Sequence, residues 1–413
     1  METKKRSLLI FVLGLLTTIG PFSIDMYLPG FPAIAKSLNT TVAHVSLSLS
    51  SFFIGISFGQ FLYGPLLDRY GRKKPLHIGL LIYLIASIGC TFAASADMLI
   101  VLRLLQALGA CVGMVAARAM VRDIFPVKDN AKIFSLLMLV VAISPIIAPT
   151  LGGYLTAITG WQSIFIALSV LGAGILVLAY TVLPESRPPD PTFSLKPVTI
   201  LQKFATVLKE PQFYTYAFTG ATASAGMYAY IAGSPYVFME LYKVSEKQYG
   251  WIFALIAMGL IGASQLNSVL LRIYKSEQVI RVALFCQSIT GILLFAGTYF
   301  HLLELFSTIF FVFIFLCCQG FTFPNSSALS LAPFSNLAGS ASALLGGIQM
   351  SIGAFTSAMV SVLSNHTALP MTGVMMCCAI ASFSILMIGR RIIKYRASIA
   401  DVEEQTVETI STS

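Results

Sequence analysis

The sequence predicts an all-α integral membrane protein, with twelve transmembrane helices in two bundles of six and both termini on the cytoplasmic side. Three observations carry this. Of 413 residues, 57% are hydrophobic and only 10% are charged, a balance that a soluble globular chain of this size does not sustain. Apolar stretches of about 20 residues, the length that crosses a bilayer as a helix, recur from one end of the chain to the other. With the N-terminus placed inside, 21 of the 26 Lys and Arg residues fall on the inner side and 3 on the outer, while Arg103 and Arg118 lie within a span. That asymmetry is the positive-inside signature.

The elements follow in order. The first span, expected at 8–29, comes after Lys4, Lys5 and Arg6. A basic start before an apolar stretch also marks a signal peptide, but this one is too long and lacks a clear small-residue cleavage site, so it reads as an uncleaved helix. Spans follow at 45–67, 76–96, 99–121, 132–157 and 162–183. The longest hydrophilic connection is 184–211, with prolines at 184, 188, 189, 191 and 197 and mixed charge. It divides the chain six and six, the plan of two bundles joined by a cytoplasmic linker with a binding site near the midplane between them. The second set is expected at 212–239, broken by Gly233-Ser-Pro235, then at 248–271, 278–299, 305–330, 338–363 and 370–391. The domain reading is therefore a bundle at 1–183, a linker at 184–211, a bundle at 212–391 and a cytoplasmic tail at 392–413. A monomer is expected, because the two halves already form a complete pathway.

Composition also excludes. The net charge of +9 is a topological signal and not a nucleic-acid footprint, since the basic residues sit in the loops of one membrane side. All seven cysteines (90, 111, 286, 317, 318, 377 and 378) fall within expected spans, with no Cys-x-x-Cys and no His cluster beside them, which argues against disulfides and metal sites. No His-Glu-x-x-His occurs, and the histidines at 44, 77, 301 and 366 are isolated in sequence, so a membrane enzyme finds no support. No phosphate loop is present either. No cofactor is expected, and energy should come from an ion gradient.

Residues 64–74 read Gly-Pro-Leu-Leu-Asp-Arg-Tyr-Gly-Arg-Lys-Lys, a short charged turn between two apolar stretches. Two glycines allow a tight turn and close helix approach, and acid and base at fixed spacing can form a switchable ion-pair cluster at the membrane surface. The stretch resembles the signature loop of the major facilitator superfamily, Gly-x-x-x-Asp-Arg-x-Gly-Arg-Lys, whose positions Gly64, Asp68, Arg69, Gly71, Arg72 and Lys73 fill without a gap. Further stretches sharpen the likeness: Gly-Pro-Phe-Ser-Ile-Asp-Met-Tyr-Leu-Pro at 20–29, Arg103-Leu-Leu-Gln-Ala-Leu-Gly109 leading to Arg118 and Asp123, Phe323-Pro-Asn325, and the small-residue run at 338–345. As a set, over residues 14 to 345, they are similar to the Bcr/CflA group of bacterial drug-resistance exporters within the drug:proton antiporter branch. The resemblance implies the major facilitator fold, the bacterial inner membrane, and efflux of small amphipathic compounds in exchange for protons. A proton-coupled siderophore or metabolite carrier, exporter or importer, could use the same scaffold.

Asp25 lies late in the first span and Arg103 early in the fourth, so both occupy the outer part of the membrane at similar depth. An isolated charge there costs roughly 2.5–3.5 kcal/mol, so each should face the bundle interior with a partner or water. Asp25 is expected to be the proton-coupling carboxylate, with Arg103 tuning its hold on the proton; the resemblance also implies a part for Arg103 in proton transfer. A static ion pair orienting two helices is the alternative. Arg118 lies about 15 residues further on, roughly 22 Å at helical rise, and either holds an anionic group, closes the inner gate or snorkels to the membrane surface. The resemblance pairs Asp123 with the arginines of the signature loop, so that Asp68, Arg72 and Asp123 latch the two bundles in the outward-open state.

The fifth span carries Ser144-Pro145-Ile-Ile-Ala148-Pro149-Thr-Leu-Gly152-Gly153, similar to the antiporter motif of drug exporters except that Ser144 and Ala148 replace its first two glycines. Small residues and proline permit close packing against a neighbouring bundle and a bend that can change. In the second half no Asp or Glu falls mid-span; Glu240, Glu277 and Glu304 lie near ends. Gln265, Asn267, Gln287, Gln319, Asn325 and Gln349, with aromatic residues, could line a cavity for amphipathic molecules. Tyr27, Tyr230 and Phe323 are the expected substrate contacts, with Arg118 and Asn325 beside them.

Overall fold

The computed structural model describes residues 3–190, 197–334 and 338–412, and among these every regular element is helical. In the first half, α1 (Thr3–Asp25) is extended by a 3₁₀ turn (Leu28–Gly30) and by α2 (Phe31–Ser37). Then come α3 (Val42–Tyr70), α4 (Lys73–Thr91), α5 (Ala96–Ile124), α6 (Val127–Thr159) and α7 (Gln162–Val182). A short α8 (Pro197–Leu208) lies within the linker. The second half comprises α9 (Pro211–Pro235), α10 (Glu246–Leu270), α11 (Ser276–Tyr299), α12 (Leu305–Leu331), α13 (Ala338–Val362) and α14 (Leu369–Thr412).

Eleven helices among the described residues, with α1 and α2 counted as one run, are long and apolar enough to cross a membrane. The remaining expected span is α9, which has the length but is built from Ala, Gly, Ser, Thr and Tyr and is buried over most of its course. It packs against α12, α13 and α14, so its surface meets other helices and needs no lipid-facing apolar stripe.

Two expectations change. Gly233-Ser-Pro235 does not break the seventh span: the helix runs to Pro235 and widens into a π-helical turn, Tyr236–Leu241, in which Tyr242 N–H donates to the Val237 carbonyl at 3.1 Å. A wider turn absorbs the hydrogen bond that proline cannot make. The segment expected as a tail continues α14 as helix, because no Gly or Pro follows Gly389 to stop it.

The membrane end that carries the α3–α4 turn and the start of the linker is termed here the linker end, and the opposite end the far end. Three helices that start at the far end carry side-chain caps: Thr41 accepts from the N–H of His44, Ser95 from that of Met98, and Ser245 forms a capping box with Gln248.

Two seams join the halves. Along the first, α3 and α13 run antiparallel and meet through hydroxyls: Ser46 with Ser361 at 3.0 Å, Ser50 with Ser357 at 2.8 Å and Ser57 with Ser351 at 2.8 Å. Ser46 Oγ also donates to the Ala232 carbonyl at 3.1 Å. Along the second seam, α6 meets α10 with backbone against backbone, and a Cβ added at Gly250 would lie 2.9 Å from the Pro149 carbonyl oxygen. The apolar core is unevenly shared. At the far end one cluster takes in both halves, with Tyr27, Phe31 and Phe53 packed alongside Tyr228, Phe238 and Phe315. Toward the linker end the first half keeps its own cluster around Leu13, Tyr63 and Met120, and the second half keeps separate ones around Phe213 and Leu344 and around Ile280 and Leu386. Apolar packing therefore ties the halves together at the far end, and at the linker end mainly Phe61 bridges them, packed on Phe204 with ring centroids 5.7 Å apart.

Helix contact this close depends on glycine. A Cβ at Gly113 would stand 2.6 Å from the Leu16 carbonyl oxygen, while one at Gly64 would meet nothing within 4 Å. Gly113→Ala is expected to push α5 off α1 and lower stability by about 1–3 kcal/mol, whereas Gly64→Ala should leave it unchanged or raise it. Thermal unfolding of the two variants in detergent checks the contrast.

Candidate functional site

At the linker end the charged turn is folded tightly. Gly71 has φ of +81°, the region that favours glycine, and a Cβ there would lie 3.0 Å from Glu185 Oε2. Arg72, 4% exposed, donates from Nη1 to Asp68 Oδ1 at 2.7 Å and from Nε to Asp123 Oδ2 at 2.8 Å. Burial works against its charge, but the hydrogen bonds and attraction of Asp123 and Asp68 outweigh that and hold the guanidinium above its ordinary pKa. Because the shift is upward, the stability linked to it is lost only above a guanidinium's own titration range, and Arg72 stays charged at every working pH.

The start of the linker completes this cluster. The Glu185 carboxylate accepts the backbone N–H groups of Arg72 at 2.6 Å and Lys73 at 3.1 Å, an anion placed on the positive N-terminus of α4. Ser186 Oγ donates to Asp123 at 3.0 Å, Arg187 reaches Asp68 at 3.4 Å, and Asp190 N–H donates to the Arg69 carbonyl at 3.1 Å. The Arg69 guanidinium lies 5.8 Å over the Tyr70 ring. These linker partners were not anticipated. Their signal is an acid directly after Pro184, where the sixth span ends on the same membrane side as the exposed N–H groups of α4.

Asp68, Arg72 and Asp123, expected to latch the two bundles in the outward-open state, form in this structure a cluster within the first half. They join α3, α4 and α5 of one half, and among the described residues no side chain of the second half bonds to them. The three helices are neighbours, so the turn and the end of α5 meet without crossing between halves. Gly64, expected to allow close helix approach, has open space beside it.

Within the membrane, Arg103 is fully buried. Its Nη1 donates to Gln106 Oε1 at 2.6 Å and its Nη2 to the Ser23 carbonyl at 2.9 Å. The guanidinium lies 4.2 Å from the Phe52 ring centroid and 4.6 Å from that of Tyr27. Gln106 donates on to Ser87 at 2.7 Å, and Tyr83 bonds Ser23 at 2.8 Å. A cation without a carboxylate is thus held by aromatic faces, an amide and a carbonyl.

Asp25 is not its partner. The carboxylate is 5% exposed and has no hydrogen bond or ion pair among the described residues. Depth in the membrane matches, but Ser23 and Asp25 are two residues apart and point roughly 200° apart around α1. Arg103 occupies the side toward α5. Met26 and Tyr27, the next residues along the chain, belong to the far-end cluster that also holds Tyr228, Tyr230 and Tyr249 of the other half.

The proline and small-residue stretch of α6 sits between the halves. Pro145 and Pro149 lie inside the helix and Ala148 is fully buried. Gly152 abuts the Met26 carbonyl beyond α1, and Gly153 abuts the Glu246 backbone at the start of α10. On α3, Gly55-Ile-Ser57-Phe-Gly59 has the spacing of a hydrolase nucleophile turn. It is mid-helix, with both glycines against α5 and Ser57 committed to the α13 seam, so it carries no such chemistry.

The expected substrate contacts separate. Tyr27 is fully enclosed, bonded to Ser48 at 2.8 Å and packed on Phe31 and Phe165. Asn325 is buried and donates to Asn267 at 2.7 Å, tying α12 to α10. Both serve helix packing and do not line open space. Tyr230 is buried in the far-end cluster. Phe323 is 47% exposed although it shares a helix face with buried Gln319 and Leu316, one and two turns toward the far end. Arg118 is half-buried, with no hydrogen bond or ion pair among the described residues.

Comparisons with known proteins agree with this architecture. The Major Facilitator Superfamily model matches residues 13–358. The chain is similar to an uncharacterized MFS-type transporter, YdgK, of Bacillus subtilis, with 32% identity over 91% of this chain and 94% of the relative. It is 28% identical to a bicyclomycin resistance protein homolog of Haemophilus influenzae, over 92% of this chain and 96% of that one. It is 30% identical to the multidrug resistance protein MdtL of Escherichia coli, over 90% and 93% respectively. Among solved structures it matches a bacterial homolog of the human lysosomal transporter Spinster in an inward-facing, unoccupied conformation. The TM-score is 0.71 at 15% identity, over 94% of this chain and 96% of that one, a likeness of fold alone.

Of the two acids on Arg72, Asp123 has 18% of its side chain exposed and Asp68 31%. Asp123 also accepts from Ser186 Oγ at 3.0 Å, whereas the second contact of Asp68, to Arg187, is longer at 3.4 Å and exposed. Asp123→Asn is therefore expected to lower stability by about 1–3 kcal/mol, and Asp68→Asn by less. Thermal midpoints of the purified variants give the ranking.

Proposed function

The chain belongs to the Major Facilitator Superfamily, and from that premise we propose that it is a proton-driven exporter of small amphipathic compounds. In this reading it works as a monomer in the inner membrane of a bacterium, with the linker end and both termini cytoplasmic, by alternating access. It is a multi-pass membrane transporter and not an enzyme. The relatives named for bicyclomycin and multidrug resistance support export of drug-like compounds, and the charge asymmetry of the loops supports the orientation.

The observation that supports proton coupling is Asp25, a buried carboxylate with no ion pair among the described residues, directly before Met26 and Tyr27 of the cluster that both halves share. A group so enclosed keeps or loses its proton according to what the other half presents to it, so its proton state is linked to whether the far end is open or closed. The seams support alternation. Hydroxyl pairs and glycine backbones can be remade in a second arrangement more readily than interlocked large side chains, and the division of the apolar core leaves the linker end free to open. In this state a compound would enter past Phe323 and Arg118. Outward release would follow when the far-end cluster parts and Asp25 takes up a proton.

The test is proton movement in proteoliposomes under an imposed pH gradient. The challenge panel includes chloramphenicol-like and bicyclomycin-like compounds and cationic dyes, with wild type compared to Asp25→Asn. At least one compound is expected to drive proton movement through wild type, and the variant should fall to the level of empty liposomes. An equal response from both proteins would remove Asp25 from the coupling step. Silence toward every compound would instead favour a dedicated metabolite or siderophore carrier.

A further inference from the structure

On the surface of the second half, α10 and α12 leave a groove of about 470 Å³ between them, walled by Leu255, Gly262 and Leu266 on one side and by Phe313 and Phe321 on the other. Its origin is glycine. Gly259 abuts the Phe313 ring, so the two helices touch there, but a Cβ at Gly262, about one turn on, would meet nothing within 4 Å. Leu255 and Leu266 are each about half exposed, and no Asp or Glu occurs from 247 to 276 or from 305 to 334. The groove is an apolar recess open to hydrocarbon. From Leu255 to Leu266 is roughly 16 Å at helical rise, against about 15 Å for half the hydrocarbon core of a bilayer. Because α10 runs from Glu246 at the far end to Leu270 at the linker end, with its middle at Met258, the groove lies mostly in the linker-side half. Arg272 follows in the turn that leaves α10, roughly 20 Å from that middle, which is headgroup depth. Lys275 comes three residues later. Both are exposed, and neither side chain joins an ion pair among the described residues. The first acid beyond them, Glu277, already faces Arg390 of α14 at 3.7 Å.

We infer that this groove holds one anionic phospholipid of the linker-side leaflet, with an acyl chain lying between α10 and α12 and the phosphate set against Arg272 and Lys275. Depth selects the occupant. The recess is one leaflet long, as an acyl chain is, whereas a helix from a second copy would need a face that continues across the membrane. Charge selects the headgroup. Two cations without a partner at headgroup depth attract a lipid of net negative charge, and a zwitterionic headgroup would bring its own cation against them. An ordered chain also supplies the contacts that the gap at Gly262 otherwise lacks. The near wall, α10, is the helix that meets α6 along the second seam, so the lipid supports an element that both halves use.

The test mixes the full chain, purified in detergent, with equal amounts of dioleoyl phosphatidylglycerol and dioleoyl phosphatidylcholine and reads the lipid retained by native mass spectrometry. Wild type is expected to keep one phosphatidylglycerol, several-fold in preference to phosphatidylcholine. Gly262→Leu fills space that no neighbouring atom occupies, so it should lose the retained lipid while keeping the lipid-free thermal midpoint of wild type. Arg272→Gln with Lys275→Gln, on the exposed turn, should still take a lipid but lose the preference. Equal retention of the two lipids by wild type, or undiminished phosphatidylglycerol on Gly262→Leu, overturns the inference. So does a wild-type dimer that Gly262→Leu separates, which would give the groove to a second copy of the chain. If Gly262→Leu lowers the midpoint, the charge variant decides alone, and an unchanged preference in it overturns the site.

Discussion

The seams between the halves are made of groups that bind weakly and can be exchanged, and the rest of the molecule depends on that. Serine hydroxyls face each other along α3 and α13, and glycine lets backbone meet backbone along α6 and α10. In a medium without water each hydroxyl must find a partner, but a hydroxyl both donates and accepts, so a shifted register finds partners as readily as the original. Interlocked Phe or Leu side chains would fix one arrangement. Within the first half the opposite holds: Arg103, Gln106, Ser87, Tyr83 and Ser23 form one fully buried network that ties α1, α4 and α5 together.

Span existence was legible in the sequence because it depends on local hydropathy. The azimuth of a side chain on its helix was not. Asp25 and Arg103 were expected at one depth, yet Arg103 bonds the carbonyl of Ser23, two residues and about half a helical turn from Asp25, and only the packing of α5 on α1 decides which side Arg103 takes. The same limit applies to the substrate contacts: Tyr27 and Asn325 have the right chemistry but are spent on helix packing. Phe323 stays exposed on a helix face that is buried further toward the far end.

The signature loop shows a different limit. Its glycines, acid and arginines are contiguous and could be read directly, including the tie from Arg72 to Asp123. In this structure the cluster stays within one half. What had looked like the beginning of a hydrophilic linker, Glu185 to Arg187, is folded onto that cluster. The connection between the halves is therefore anchored at its first residues to the first bundle.

The polar make-up of α9 has a consequence for how the protein is made. Membrane insertion machinery judges segments largely as they emerge, by their own hydrophobicity, and α9 offers Ala, Gly, Ser, Thr and Tyr where its neighbours offer Leu, Ile and Phe. The helices that enclose it, α12, α13 and α14, are all synthesised later. During biogenesis α9 must be kept from the lipid until they arrive, so the second half becomes a self-sufficient membrane unit only when its last helix has been delivered.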